Sequence, residues 1–69
     1  MKTAAKLRLF RKEMKARYPK VLAKPSDDEI LAYVDSASKA FKNFPEEKQI
    51  KMAASMAADH YLAKQRLSL

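Results

Sequence analysis

Sixty-nine residues carry 15 Lys+Arg against 8 Asp+Glu, a formal net charge of +7, with no Cys, no Trp and no Gly. A chain this short holds one small domain, and without disulfides it relies on well-packed helices, a partner or a second copy for stability. Gly is what phosphate-cradling loops, tight hairpins and α/β turns require, so its absence argues against a P-loop, a Rossmann unit and a β-rich fold.

Three prolines and one capping signal divide the chain into three helices. The first is expected over about residues 3–17, with Thr3 as N-cap, and stops near Tyr18 because Pro19 disfavours helical geometry in the residue before it. Leu7, Phe10, Met14 and Tyr18 recur at three- and four-residue spacing and mark its core face. Leu9 lies on the far side of that helix and is expected to be exposed. The connector 20–25 carries Val21 and Leu22, both expected to fold back onto the bundle. Ser26 opens the second helix with Glu29 three residues on, which is a capping box, and Asp27 and Asp28 complement the positive end of the helix dipole. This helix, expected over about 27–43, presents Ile30, Tyr33, Val34, Ala37 and Phe41, with Phe44 beyond them, as one apolar stripe.

Pro45 suits the first position of a third helix and Glu46 and Glu47 its first turn, so that helix is expected over about 45–66. One of its faces reads Ile50, Ala53, Ala54, Ala57 and Tyr61, small residues that allow close helix approach. The opposite side reads Met52, Met56, Ala63 and Leu67. Two apolar stripes imply two neighbours. The fold expected is all-α, a compact three-helix bundle spanning residues 1–69 as one domain. Its expected core is Leu7, Phe10, Met14, Ile30, Val34, Ala37, Phe41, Ile50, Ala54, Ala57 and Tyr61.

Charge is distributed unevenly between these helices. Residues 1–24 hold nine basic groups and one acid, Glu13, for a net +8, whereas residues 25–69 hold six basic and seven acidic groups, for a net −1. The whole surplus therefore belongs to the first third of the chain. Turned at about 100° per residue, Arg8, Arg11, Lys12 and Lys15 fall within a sector of about 100° beside the apolar stripe and form one basic ridge. Like charges four residues apart cost a few tenths of a kcal/mol per pair, so the ridge gains nothing locally. It suits an anionic partner, the alternative being a solvated face.

Catalytic raw material is thin. His60 has no second His or Cys to build a metal site with, and as sequence neighbours on a helix Asp59 and His60 point about 100° apart. His60 reads as a boundary histidine with its polar edge in water, and the paired acids Asp27/Asp28 and Glu46/Glu47 read as helix-start residues. No enzyme activity, cofactor or metal is expected. Helix three is a poor groove reader because Glu46 and Glu47 would repel phosphate, and the aromatic Phe10 and Tyr18 belong to the core stripe, which leaves backbone binding by helix one.

No apolar run approaches the roughly 20 residues of a membrane span, and residues 1–10 alternate basic and apolar groups instead of forming an export signal's apolar core. A cytoplasmic setting with no membrane partner is expected. Ala57-Ala58-Asp59-His60, followed by Leu62-Ala63, resembles a stretch of the Hha-type nucleoid-associated regulators, small helical proteins that act by binding a DNA-bound partner. That resemblance covers seven positions with one mismatch and assigns no family.

The function expected is a small non-enzymatic regulatory protein whose ridge, Arg8, Arg11, Lys12 and Lys15, contacts nucleic-acid phosphates. The alternative is a protein-binding inhibitor or adaptor whose ridge meets an acidic surface of a larger complex. In size and composition the chain is similar to phage- and plasmid-type accessory proteins, some of which disable a host polymerase or CRISPR complex. Leu9, Met52, Met56 and Leu67 would then form a protein interface, or the contact of a homodimer.

Overall fold

The computed structural model describes residues 1–68 and contains three helices, α1 (Thr3–Arg17), α2 (Asp27–Ala40) and α3 (Glu46–Leu67), with no strand among the described residues. The Cα radius of gyration is 11.6 Å, close to the ~11 Å of a compact chain of this length. The molecule is an all-α three-helix bundle in which α3 is central, packing along both α1 and α2 while these two touch each other only briefly.

Each helix end follows from local chemistry. The N-cap position of α1 is Lys2, not the expected Thr3, and no side chain caps it. Tyr18 leaves helical geometry at φ −127°, ψ 54°, as Pro19 requires, while its N–H still reaches Met14 O at 2.9 Å. At α2 the capping box forms: Ser26 Oγ accepts from the Glu29 N–H at 3.2 Å, and Glu29 Oε1 accepts in return from the Ser26 N–H at 3.5 Å. Ser26→Ala should cost about 0.5–2 kcal/mol, read as a lower melting temperature by circular dichroism; an unchanged melt would mean that the cap contributes nothing.

The second helix ends at Ala40 and not near 43 as the sequence suggested, and Pro45 occupies the N-cap of α3 instead of its first turn. Gln49 holds the turn that follows Ala40. Its Nε2 donates to Phe44 O at 3.1 Å and, at 2.9 Å, to Phe41 O, which also accepts from the Phe44 N–H at 3.0 Å. A second glutamine does the same for the other connector: Gln65 Oε1 accepts from Leu22 N–H at 2.7 Å and its Nε2 donates to Lys20 O at 3.1 Å. Both turns are thus held by amides projecting from α3. In the extended connector alternate side chains face opposite ways, so Val21 and Ala23 pack against the core while Leu22, expected to fold back, is 78% exposed.

The core consists of Phe10, Met14, Ile30, Val34, Ala37, Ile50, Ala53, Ala54, Ala57, Ala58 and Tyr61. Leu7 and Phe41, expected in it, are only half-buried. Leu7 lies on a helix covered mainly by one neighbour, and Phe41 sits past the end of α2. The two neighbours of α3 share one face: Ile50, Ala53, Ala54, Ala57, Ala58 and Tyr61 span an arc of about 140°, and four alanines let both helices lie close. The second stripe is left outside. Met52 is half-buried, Met56 and Ala63 are exposed, and Leu67 is 88% exposed. Polar contacts complete the α2–α3 seam. The Tyr61 hydroxyl donates to Glu29 Oε2 at 3.0 Å; this bond, with the Ser26 amide, holds the Glu29 carboxyl below its ordinary value, while burial and then Glu29 push the Tyr61 phenol up.

Candidate functional site

All four ridge residues, Arg8, Arg11, Lys12 and Lys15, are exposed on the outer face of α1. The same helix buries Phe10 and Met14 on its inner side, so the ridge direction is fixed by the core and not by contacts of its own. Arg11 differs from the other three. Its Nη2 donates to Asp27 Oδ1 at 2.6 Å and, at 3.4 Å, to Pro25 O, which ties α1 to the first turn of α2. Arg8, Lys12 and Lys15 make no ion pair among the described residues, whereas Arg17 reaches Glu13 at 3.2 Å, Lys39 reaches Asp35 at 3.1 Å and Lys51 reaches Glu47 at 3.7 Å. Ion pairing alone does not set the ridge apart, since among the described residues Arg11 is paired and, of the Lys and Arg side chains elsewhere, only Arg17, Lys39 and Lys51 are; what distinguishes the ridge is the density of basic groups on one helix face.

Two depressions flank α1. One, of about 540 Å³, lies between α1 and the first half of α3 and mixes acids with bases: Glu13 and Glu47 beside Arg17, Lys48 and Lys51. Glu13, the only acid of α1, is buried there and held by Arg17 Nε. The other, of about 430 Å³, lies between the second half of α1 and the connector, with Met14, Tyr18, Val21 and Ala23 among its apolar walls and, among the described residues, Arg11, Lys15 and Lys24 as its charged groups. It shares Arg11 and Lys15 with the ridge. Lys24 and this cleft were not singled out in the sequence, because the cleft exists only where the connector turns back along α1.

No family model, curated protein or solved structure matches the chain. Its function therefore has to be read from its own residues.

The residues expected to form a protein interface differ in exposure. Leu9, expected to be exposed, is half-buried against the core, because it precedes Glu13 by one turn on the flank facing α3. Met52 lines the mixed-charge depression, while Met56 and Leu67 are exposed. Met52→Gln combined with Met56→Gln should change stability by no more than about 1 kcal/mol. Sedimentation of both proteins tests the second-copy idea, and an unfolded double variant would place the methionines in the core.

His60 is exposed, as expected of a boundary histidine, and its Nδ1 meets the Tyr33 hydroxyl rather than water alone. Among the described residues no three His, Cys, Asp or Glu side chains are grouped to hold a metal ion, and no helix is long and apolar enough to cross a membrane.

Proposed function

We propose that the protein is a non-enzymatic, cytoplasmic binding protein that contacts nucleic-acid phosphates through the outer face of α1. One observation carries this reading: Arg8, Lys12 and Lys15 stand exposed on one helix without an acidic partner, in a chain segment of net charge +8. An unpaired row of cations attracts a polyanion and releases its counterions on binding, and it reads no sequence by itself. Mobility shift on duplex DNA and on RNA at rising salt tests the reading. With three cations engaged, the log–log slope on duplex DNA should be about −3. Absence of binding to either nucleic acid at low salt would end the proposal.

Arg11 supplies a second, opposite-signed check. Its ion pair is exposed and worth at most about 1 kcal/mol, and Asp27 competes with phosphate for the same guanidinium. Asp27→Asn should therefore lower stability slightly yet raise nucleic-acid affinity, with a salt slope steeper by about one. Lower affinity in that variant would mean that the Asp27 contact positions Arg11 for binding and does not withhold it.

The rival reading is an inhibitor or adaptor that docks the ridge on an acidic protein surface. The Arg11–Asp27 pair favours it to the extent that this ridge accepts a carboxylate. Absence of nucleic-acid binding together with capture of an acidic partner would select it.

A further inference from the structure

The two depressions beside α1 differ in a way that bears on what the ridge holds. The α1–α3 groove has two acids, Glu13 and Glu47, among its lining residues. The cleft between α1 and the connector has none among the described residues: three cations, Arg11, Lys15 and Lys24, line it together with apolar Met14, Tyr18, Val21 and Ala23. Its volume of about 430 Å³ lies in the range of small-molecule sites, about 300–1,000 Å³. Tyr18 is half-buried and lines both depressions.

An apolar recess rimmed by positive charge matches a ligand that joins a flat, weakly polar group to an anion. The ridge extends the match. From Arg8 to Lys15 the cations run along α1 for about 10 Å at 1.5 Å per residue, and the last of them, Lys15, is also on the cleft rim. A chain carrying an anion at every unit and a flat ring at each would follow this row and place one ring in the recess. Arg11 still has donors to offer there, because a guanidinium has five N–H groups and the contacts to Asp27 and Pro25 come from one nitrogen.

We infer that the cleft is a subsite for one unpaired nucleotide of a single strand, its base against Tyr18, Val21 and Ala23 and its phosphates on Arg11, Lys15 and Lys24. The inference rests on the phosphate-binding reading and adds the ligand class: a base paired in a duplex cannot leave its stack to enter the cleft without cost, so single strands are the preferred form. Housing one base against apolar and aromatic surface is worth roughly tenfold in affinity.

The test compares two probes of equal charge, a labelled single-stranded thymidine 12-mer and an abasic phosphodiester of the same length. The wild-type protein should bind the thymidine strand about tenfold more tightly, and Ala23→Phe, which adds bulk at the recess wall, should abolish that preference. Because a bulky residue could disturb the connector, the wild type is also followed by NMR: the Val21 and Ala23 methyl signals should shift with the thymidine strand and not with the abasic one. Equal binding of the two probes, with no such shifts, overturns the subsite and leaves the ridge reading standing. Binding of neither overturns both, and displacement of the thymidine strand from the cleft by an Asp/Glu-rich peptide with a Phe anchor, at lower concentration than the strand itself, would assign the recess to a protein ligand instead.

Discussion

Phe10→Ala should lower the melting temperature by more than about 12 °C or leave the chain unfolded at 25 °C. Phe10 is fully buried, and among the described residues Ile30 and Ile50 are the other large side chains with no exposed surface. Truncating a buried Phe costs about 3–5 kcal/mol in lost transfer energy and unfilled cavity. A folded chain of this length has about 3–10 kcal/mol of stability in total, and for a domain of this size each kcal/mol moves the melting temperature by about 4–8 °C. No cysteine or metal cluster is present among the described residues to offset the loss. Leu67→Ser is the matched contrast: Leu67 also belongs to an apolar stripe in the sequence, but it is 88% exposed, and its substitution should stay within about 0.5 kcal/mol. Thermal melts of the two variants beside the wild type check both statements. Similar melts for the two would mean that the core has been placed on the wrong faces.

Phe10 and Leu67 also separate what the sequence discloses from what it conceals. Spacing finds apolar stripes and prolines find the breaks, which is why the three helices, the Ser26–Glu29 box and the Ala-rich face of α3 were legible. Spacing does not say which of two stripes is covered. On α3 the four alanines favour their own face, because small side chains let the neighbouring helices approach closely; the Met52/Met56/Leu67 stripe is then left with at most a partial cover. The ridge was legible for a similar reason, since its direction is the complement of the Phe10/Met14 face. Partners distant in sequence were not legible. Nothing local pairs Arg11 with Asp27, Gln65 with Leu22 or Gln49 with Phe41, and these contacts decide how many ridge cations are free and where the connector runs. The cleft, being a product of that connector path, was invisible with them.

The largest functional effect should come from reversing the three unpaired ridge cations together. Arg8→Glu, Lys12→Glu and Lys15→Glu take the formal net charge from +7 to +1, a change of six units, all on the outer face of α1. Binding to nucleic acid should fall by at least about 100-fold at low salt, with the salt slope on duplex DNA flattened by about three. The fold should survive: these side chains are exposed, and the repulsion between positions 8 and 12 is exchanged for one of the same size. Arg11 stays in place and keeps Asp27 within reach, so the α1–α2 tie is retained. Net charge alone would weaken binding to any polyanion, and the control therefore moves the same six units elsewhere, with Lys39→Glu, Lys42→Glu and Arg66→Glu near the ends of α2 and α3. If the ridge is the contact, that control keeps most of the affinity and the full salt slope, although its total charge is identical. Equal losses in the two triple variants would mean that the protein meets nucleic acid as a diffuse positive body and that α1 holds no site.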